Sequence, residues 1–238
     1  MDDAPHYLDG VDAPVLVRVN RRARRVSVRI DPTHRLVIAT APSQRAVAGA
    51  LAFAESKADW LNAQLASVAP PQAFVAGGVF PLRGAPCRIE AADHPRRRTS
   101  QPEANVVIVG GGPEHLNRRL VDWLKKEARR DLTARADAHC ATLGVDRSGI
   151  QIKDTRSRWG SCSSDKVLSF SWRLILAPPD ILDYVAAHEC AHLIHMDHSA
   201  AFWGVVDRLG VDAAGARRWF KDNGQDLHRW GVPMRAAA

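Results

Sequence analysis

Five consecutive residues, His188-Glu189-Cys190-Ala191-His192, place two imidazoles and a carboxylate in an HExxH pattern. Residues four apart on an α-helix return to nearly the same face, so the two histidines can converge on one metal ion. Glu189 lies about 100° further round the helix, beside such an ion and not on it. There it can take a proton from a metal-activated water and return it to a leaving amine. The spacing predicts a zinc site with Glu189 as general base.

A catalytic zinc site also needs a third protein ligand and an open position for water. Two histidines follow the pattern: His195 is three residues after His192, and His198 is six residues after it. The position of His198 matches the longer HExxHxxGxxH motif, in which Gly stands where this chain has His195. We favour His198, because His195 is expected to lie on the same helix. The turn that the Gly normally makes is then expected at Asp197, since Asp tolerates a left-handed backbone.

The helix that carries this pattern is predicted to begin at Pro178 and Pro179, because Pro suits the first helical position. Its apolar positions place the ligand pair at the edge of a buried face; they are Ile181, Leu182, Val185, Ala186 and Leu193. Cys190 is about 200° from His188 around the helix axis, so it is interpreted as a core residue.

The remaining elements follow from apolar periodicity and from turn residues. Val26, Val28 and Ile30 alternate with polar residues, as in a half-buried strand. The other predicted elements are short strands within 15–41, a helix from Ser43 to about Val68, strands near Phe80–Glu90 and Asn105–Val109, a long helix from Glu114 to Leu143 ended by Gly144, strands Ile150–Asp154 and Val167–Leu176, a helix over Ala200–Leu209 and a Trp-containing tail.

These elements predict an α+β fold. An N-terminal β-rich part with one helix precedes a region in which the HExxH helix packs beside a small sheet. We expect a flexible tail over residues 1–13, the β-rich region over 14–112, the second region over 113–232 and a short tail over 233–238. The alternative is that the two central regions form one compact unit.

The sequence resembles the YgjP-like (also called SprT-like or WLM-type) zinc metallopeptidase family. The segments that carry the resemblance are Arg158–Ser164 (RWGSCSS), Ser171–Pro178 (SWRLILAP), and HECAH followed by Asp197-His198-Ser199 and Phe202-Trp203. Asp197 stands where the family often has Asn. The resemblance covers roughly residues 15–230. It extends, more distantly, to proteases that digest proteins crosslinked to DNA.

The resemblance implies a minimal zincin-like catalytic region. One Zn²⁺ per chain would be held by His188, His192 and His198, with Glu189 as general base and a protein or peptide as substrate. The strand before the metal helix can then pair with an extended substrate. Its expected solvent-facing residues, Ser169, Ser171 and Arg173, are the predicted substrate contacts.

Other residues near the pattern remain open to two interpretations. Gly160 permits a tight turn, and Trp159 is either an anchor at the site or core packing. The candidates for stabilising the oxyanion are Tyr184, Arg173 and His195, among which the sequence does not choose.

The charge balance is basic, with 33 Lys and Arg against 26 Asp and Glu and a net charge of +7. Six arginines fall within twelve residues: Arg18, Arg21, Arg22, Arg24, Arg25 and Arg29. A second run is Arg96–Arg98. Either these form a solvated surface, or Arg21, Arg22, Arg24 and Arg25 contact DNA. No aromatic residue interleaves the arginines, so base stacking is not predicted there.

Composition excludes several classes of protein. With 46% hydrophobic and 25% charged residues, the chain is not disordered throughout. No run of 18 apolar residues predicts a membrane span, and the N-terminus lacks the apolar core of a secretory signal. Four separated cysteines without a CxxC pair favour a reduced, cytoplasmic protein. The rival functions are a DNA-binding factor and a structural zinc protein without catalysis.

Overall fold

The computed structural model describes residues 4–31, 34–67, 70–92, 94, 97–155 and 157–233. These residues form a mixed α and β structure with six α-helices, two 3₁₀-helices and ten strands in three small sheets. By internal contacts the chain divides into two compact units, of which the first ends at Gln72 and the second spans Ala73–Pro233.

The division at Gln72 lies well before the boundary expected near residue 112. The reason is that the middle sheet shares one core with the long helix: Phe80, Val107 and Leu120 belong to the same buried cluster. The apolar sides of these elements cover each other, so they belong to one unit.

The first unit is a three-stranded sheet with two helices. Its strands are β1 (Val15–Val19), β2 (Ser27–Asp31) and β3 (Leu36–Ala41), in the order β1-β3-β2. The expected alternation along β2 is confirmed, because Val28 and Ile30 are half-buried and Ser27 and Arg29 are exposed. In the predicted N-terminal tail, the backbone of His6 is hydrogen-bonded to that of Val15 in both directions at 2.8 Å.

The helical part of this unit is interrupted where one continuous helix was expected. A 3₁₀ turn at Gln44–Ala46 leads into α1 (Val47–Glu55), and α2 follows over Ala58–Ser67. At the interruption, the Lys57 N–H donates to the carbonyl of Ala54 at 3.1 Å, and Ser56 donates its Oγ–H to the carbonyl of Phe53 at 2.8 Å. The predicted end at Val68 lies outside the described residues.

The second unit begins with a four-stranded sheet in the order β4-β5-β7-β6. Its strands are β4 (Val79–Leu82), β5 (Ala85–Ala91), β6 (Ser100–Glu103) and β7 (Val106–Val109). The single strand expected near Phe80–Glu90 is a hairpin. Arg83 and Gly84 make its two-residue turn with φ of 52° and 76°, and the right-handed twist of the strands favours such a turn.

Helix α3 (Pro113–Leu143) begins at a Pro and ends at Gly144, whose φ is 65°. The predicted glycine stop is therefore confirmed. A third sheet follows, with the order β8-β10-β9; its strands are β8 (Gly149–Lys153), β9 (Gly160–Cys162) and β10 (Val167–Ser171). A 3₁₀-helix over Trp172–Leu176 then leads to α4 (Pro179–Ala191), α5 (Ala200–Arg208) and α6 (Ala213–Leu227).

Helix α6 stands where the sequence analysis expected only a Trp-containing tail. Asp212 caps it by accepting the Gly215 N–H at 2.8 Å. Its buried positions, Ala216, Gly224 and Leu227, recur at helical spacing. Two of the three are small residues, so the apolar pattern is weak in the sequence. No helix of the described residues has the length and apolarity needed to cross a membrane.

Candidate metal centre

Three histidine side chains converge at the end of α4. His188, His192 and His198 each offer a ring nitrogen, and these atoms lie within 4.8 Å of one another. The Nε2 atoms of His188 and His198 are 3.1 Å apart. Within the described ranges, this is the only group of three or more His, Cys, Asp or Glu residues with such geometry. The cluster contains the three residues that the sequence analysis favoured.

The chain reaches His198 by tightening and leaving the helix after Ala191. The backbone N–H of Leu193 donates to Cys190 and that of Ile194 donates to Ala191, at 3.0 and 3.1 Å. The expected left-handed residue at Asp197 is wrong, because Asp197 is not among the residues with positive φ. Its carboxylate instead accepts the Ser199 N–H at 3.2 Å, just before α5. Where the longer motif has Gly, this helix instead ends in a tighter, 3₁₀-like turn.

His195 contributes its backbone to the site and not its ring. The Nδ1 of His192 lies 2.9 Å from the carbonyl oxygen of His195. A carbonyl can only accept, so Nδ1 carries the proton and Nε2 of His192 keeps its lone pair. Such a bond fixes both the tautomer and the orientation of a metal-binding imidazole.

Burial keeps His188 and His192 in the neutral form, which is the form that binds metal. It lowers the pKa of His188 from 6.5 to about 4, with the neighbouring His192 and His198 acting in the same direction. Burial also lowers the pKa of His192. Both rings are therefore neutral near pH 7, and neutral imidazole is the metal ligand.

Phe202 of α5 packs against all three imidazoles. Its ring centre is 4.6 Å from that of His192, 4.8 Å from that of His198 and 4.9 Å from that of His188. Phe202 is fully buried. Its ring forms an apolar wall against which the three imidazoles pack. Phe202 was indicated by the family resemblance alone, and not by its distance in sequence from the histidines.

Glu189 lies beside the histidines with an unpaired carboxylate oxygen. It is 5% exposed, and Oε2 has no hydrogen-bond partner among the described residues. Burial raises the pKa of Glu189 from 4.5 to about 8, while the positive charge of Arg158 opposes the change. Burying an unpaired carboxylate costs free energy, and a catalytic role or a nearby ion is an explanation for such a group.

Gly160 makes room for this carboxylate. A Cβ at residue 160 would lie 2.5 Å from Oε1 of Glu189. The expected tight turn at Gly160 is wrong: the residue lies in β9, and its φ is not left-handed. The lack of a side chain at residue 160, and not its backbone freedom, suits it to this position.

A cleft of about 460 Å³ opens in front of Glu189 and His188. Helix α6 forms one side of it with Arg217, Phe220 and Lys221, and the other lining residues are Trp159, Gly160, Tyr184 and Val185. The α6 residues were not predicted because the helix itself was not predicted. The N-cap residue Asp212 is the signal in the sequence that could have found the helix.

Trp159 lines the cleft and also packs against its neighbours, so core packing is confirmed and a role as an anchor stays a prediction. Its ring stacks on Phe220 with centres 5.1 Å apart and on His228 with centres 4.7 Å apart. Of the three oxyanion candidates, Tyr184 is the one that lines the cleft.

The solvent-facing side expected for β10 is wrong. Ser169 and Ser171 are buried, and Arg173 is 3% exposed and lies in the 3₁₀-helix beyond the strand. Arg173 forms an ion pair with Asp154 and stacks over the ring of Trp172. Because β10 is the central strand of its sheet, both of its edges are already paired. These residues lack the exposure that substrate contact needs.

The four arginines proposed to contact DNA are all exposed. Arg21, Arg22, Arg24 and Arg25 lie in the first unit, in the segment between β1 and β2. Of the second basic run, Arg97 and Arg98 are exposed, and Arg96 lies outside the described residues. Cys190, in contrast, is fully buried, as expected of a core residue.

Comparison with known proteins identifies the family of this chain. The model of the YgjP-like metallopeptidase domain matches residues 24–223. No curated protein matches the chain. Among solved structures, the metallopeptidase zymogen of Pyrococcus abyssi abylysin is similar at 19% identity, with 41% of this chain and 96% of that chain covered and a TM-score of 0.36.

Proposed function

Because the chain belongs to the YgjP-like metallopeptidase family, we propose that it is a zinc-dependent peptidase in which Glu189 is the general base. One observation carries the proposal. Three imidazole nitrogens lie within 4.8 Å of one another, and the unpaired carboxylate of Glu189 lines the same open cleft as His188.

The donor set fits a zinc ion held by His188, His192 and His198. The Nε2 atoms of His188 and His198, 3.1 Å apart, can share one proton at most, whereas a cation would accept a lone pair from both. Three histidines leave a fourth position for water or substrate, as in catalytic zinc sites. When bound, zinc lowers the pKa of a water molecule and polarises the scissile carbonyl.

Glu189 moves the protons of the reaction. Its unpaired oxygen takes a proton from the attacking water and then gives it to the amine that leaves. The buried surroundings favour its protonated form, so the proton can be held between the two transfers. A cation held by the histidines would lower the pKa of Glu189, so that the carboxylate would be ionised before the reaction, as a general base must be.

The substrate would lie along β9 and not along β10. Strand β9 is an edge of its sheet, and its Gly160 lines the cleft, so an extended peptide could pair there. Tyr184 is our candidate for the oxyanion donor, because Arg173 is ion-paired elsewhere and His195 faces the site through its backbone.

Two rival functions have less support. A purely structural zinc site needs a closed coordination shell, and the open cleft and unpaired Glu189 favour catalysis instead. DNA contact is a second candidate because Arg21, Arg22, Arg24 and Arg25 are exposed. Charge reversal of all four should then abolish a salt-dependent affinity for DNA and leave zinc content unchanged.

Hydrolysis of a denatured, labelled casein by the zinc-loaded protein tests the proposal. Glu189→Gln should keep the zinc and lower the rate by about 10²–10⁴-fold. Glu114→Gln, at an exposed residue of α3, is the matched control and should be unaffected. Equal rates for wild type and Glu189→Gln at equal zinc content would contradict the assignment of the base.

A further inference from the structure

The first unit contains a groove that the metal centre does not use. Its volume is about 660 Å³. The start of β2 and the residues before it form one side, and α1 and α2 form the other. The lining residues are Arg25, Val26, Ser27, Val28, Phe53, Lys57 and Trp60.

The side formed by β2 is a free sheet edge. Strand β2 ends the order β1-β3-β2, and among the described residues it pairs with β3 alone. In an antiparallel ladder, alternate residues direct their N–H and C=O groups away from the partner strand. Those of the edge strand are left for another chain, and an extended polypeptide is the ligand whose backbone matches them.

The side formed by the helices exposes aromatic surface. Trp60 is 50% exposed and Phe53 is 37% exposed, and both line the groove together with Val26 and Val28. Large apolar side chains grouped on a surface indicate a site of interaction. Aromatic rings of this kind anchor bound peptides by burying large areas.

The charge of the groove indicates which charge its ligand should carry. Its two charged lining residues, Arg25 and Lys57, are both cations. Arg24 and Arg29, next to the lining residues in sequence, are exposed as well, and the exposed Asp59 beside Trp60 offsets one of these charges. Electrostatic complementarity therefore favours a segment that carries acidic side chains among its apolar ones.

We propose that this groove binds an extended polypeptide segment of alternating apolar and acidic residues, which adds to β2 as a fourth strand with an apolar side chain against Phe53 and Trp60. A nucleic acid could use the aromatics and the cations, but it has no use for the free backbone groups of β2. A peptide uses all three features.

The test uses a fluorescein-labelled decapeptide of alternating Glu and Val with one central Phe, measured by fluorescence polarisation on the full chain. We expect saturable binding that is the same with and without a zinc chelator, since no histidine of the cluster takes part. The same peptide with N-methyl groups on alternate residues cannot pair with a strand, and it should bind at least about tenfold more weakly. A Lys-for-Glu peptide should bind more weakly still.

Two variants locate the site. Trp60→Asp and Lys57→Glu should each weaken binding about tenfold, because each removes a central contact. Tyr7→Asp and Arg45→Glu are matched controls at exposed residues outside the groove and should bind as the wild type does. The N-methylated peptide keeps the test decisive even where a variant fails to fold.

Four outcomes would overturn the proposal. They are absence of binding, equal binding of the N-methylated peptide, tighter binding of labelled oligo-dT that the same two variants weaken, and a wild-type dimer in sedimentation that Trp60→Asp makes monomeric. The third result would indicate a nucleic-acid site, and the fourth would indicate that a second copy of the chain occupies the groove.

Discussion

The carboxylate of Glu189 occupies the space that a side chain at Gly160 would fill, because a Cβ there would lie 2.5 Å from Oε1. Strand β9 and helix α4 thus approach each other through a glycine at the carboxylate of the proposed base. The position of this carboxylate depends on a residue that is distant in sequence and has no side chain.

Gly160→Ala should displace the Glu189 side chain without touching a histidine. We expect zinc content to stay at the wild-type value and kcat to fall by at least about tenfold, because small displacements of a catalytic group are costly. Gly149→Ala is the matched control in the same sheet, since a Cβ there meets nothing within 4 Å. Metal analysis and casein hydrolysis on all three proteins provide the measurement. Wild-type activity in Gly160→Ala would show that the carboxylate does not need this space.

Substitution of His198 and substitution of His195 should have unequal effects on zinc affinity. His198→Ala should lose most of the zinc, as should His188→Ala and His192→Ala, because each removes one of three ligands. His195→Ala should lose much less, since His192 bonds to its backbone carbonyl, which every residue retains. Zinc competition with a chromophoric chelator measures both affinities. The reverse order would mean that His195 is the third ligand.

The metal-free protein should become less stable as pH rises from 6.5 to 8. The pKa of Glu189 is raised to about 8, so the folded state holds a proton there that the unfolded chain, with a pKa near 4.5, has lost. Unfolding then releases a proton, and rising pH favours it by about 2 kcal/mol over this range. The lowered pKa of His188 acts in the opposite sense, but only below pH 6.5, where falling pH removes stability.

Thermal melting of the chelator-treated protein at several pH values measures this effect. Glu189→Gln carries no titrating carboxyl group, so its melting temperature should be nearly constant between pH 6.5 and 8. A wild-type protein with an equally flat profile would contradict the raised pKa of Glu189.

The four cysteines should differ sharply in reactivity. Cys87, Cys140 and Cys190 are buried, whereas Cys162 is partly exposed. Burial raises the pKa of each thiol and so lowers the thiolate that reacts. A disulfide reagent should modify Cys162 first in the native protein and the others only on unfolding. Cys162→Ser should remove the early phase, and an early phase that persists would contradict the burial of the rest.

The local part of the metal centre could be predicted from the sequence because helix geometry alone relates His188, Glu189 and His192. The choice of His198 over His195 needed one further step, that a ligand from outside the helix closes the site. The structure brings His198 to the cluster, but through a 3₁₀-like turn at the helix end and not through a left-handed Asp197.

The remainder depends on tertiary contacts that spacing does not encode. The role of Gly160 arises only when β9 meets α4. Ser169 and Ser171 alternate correctly for a strand with one solvent-facing side, but the strand order places β10 in the centre of its sheet. Helix α6 was missed because two of its buried residues, Ala216 and Gly224, are small and do not contribute to a hydrophobic pattern. Close packing favours small residues there, since a Cβ at Gly224 would contact Phe220 and Trp159.

Helix α6 has an evolutionary consequence. The histidine cluster ends at His198, whereas the cationic and aromatic side of the cleft formed by α6 begins after Asp212. Substitution of Arg217, Phe220 or Lys221 can therefore change the shape and charge of the cleft while the histidine cluster stays unchanged. Substrate preference could thus evolve on α6 separately from the proposed zinc ligands.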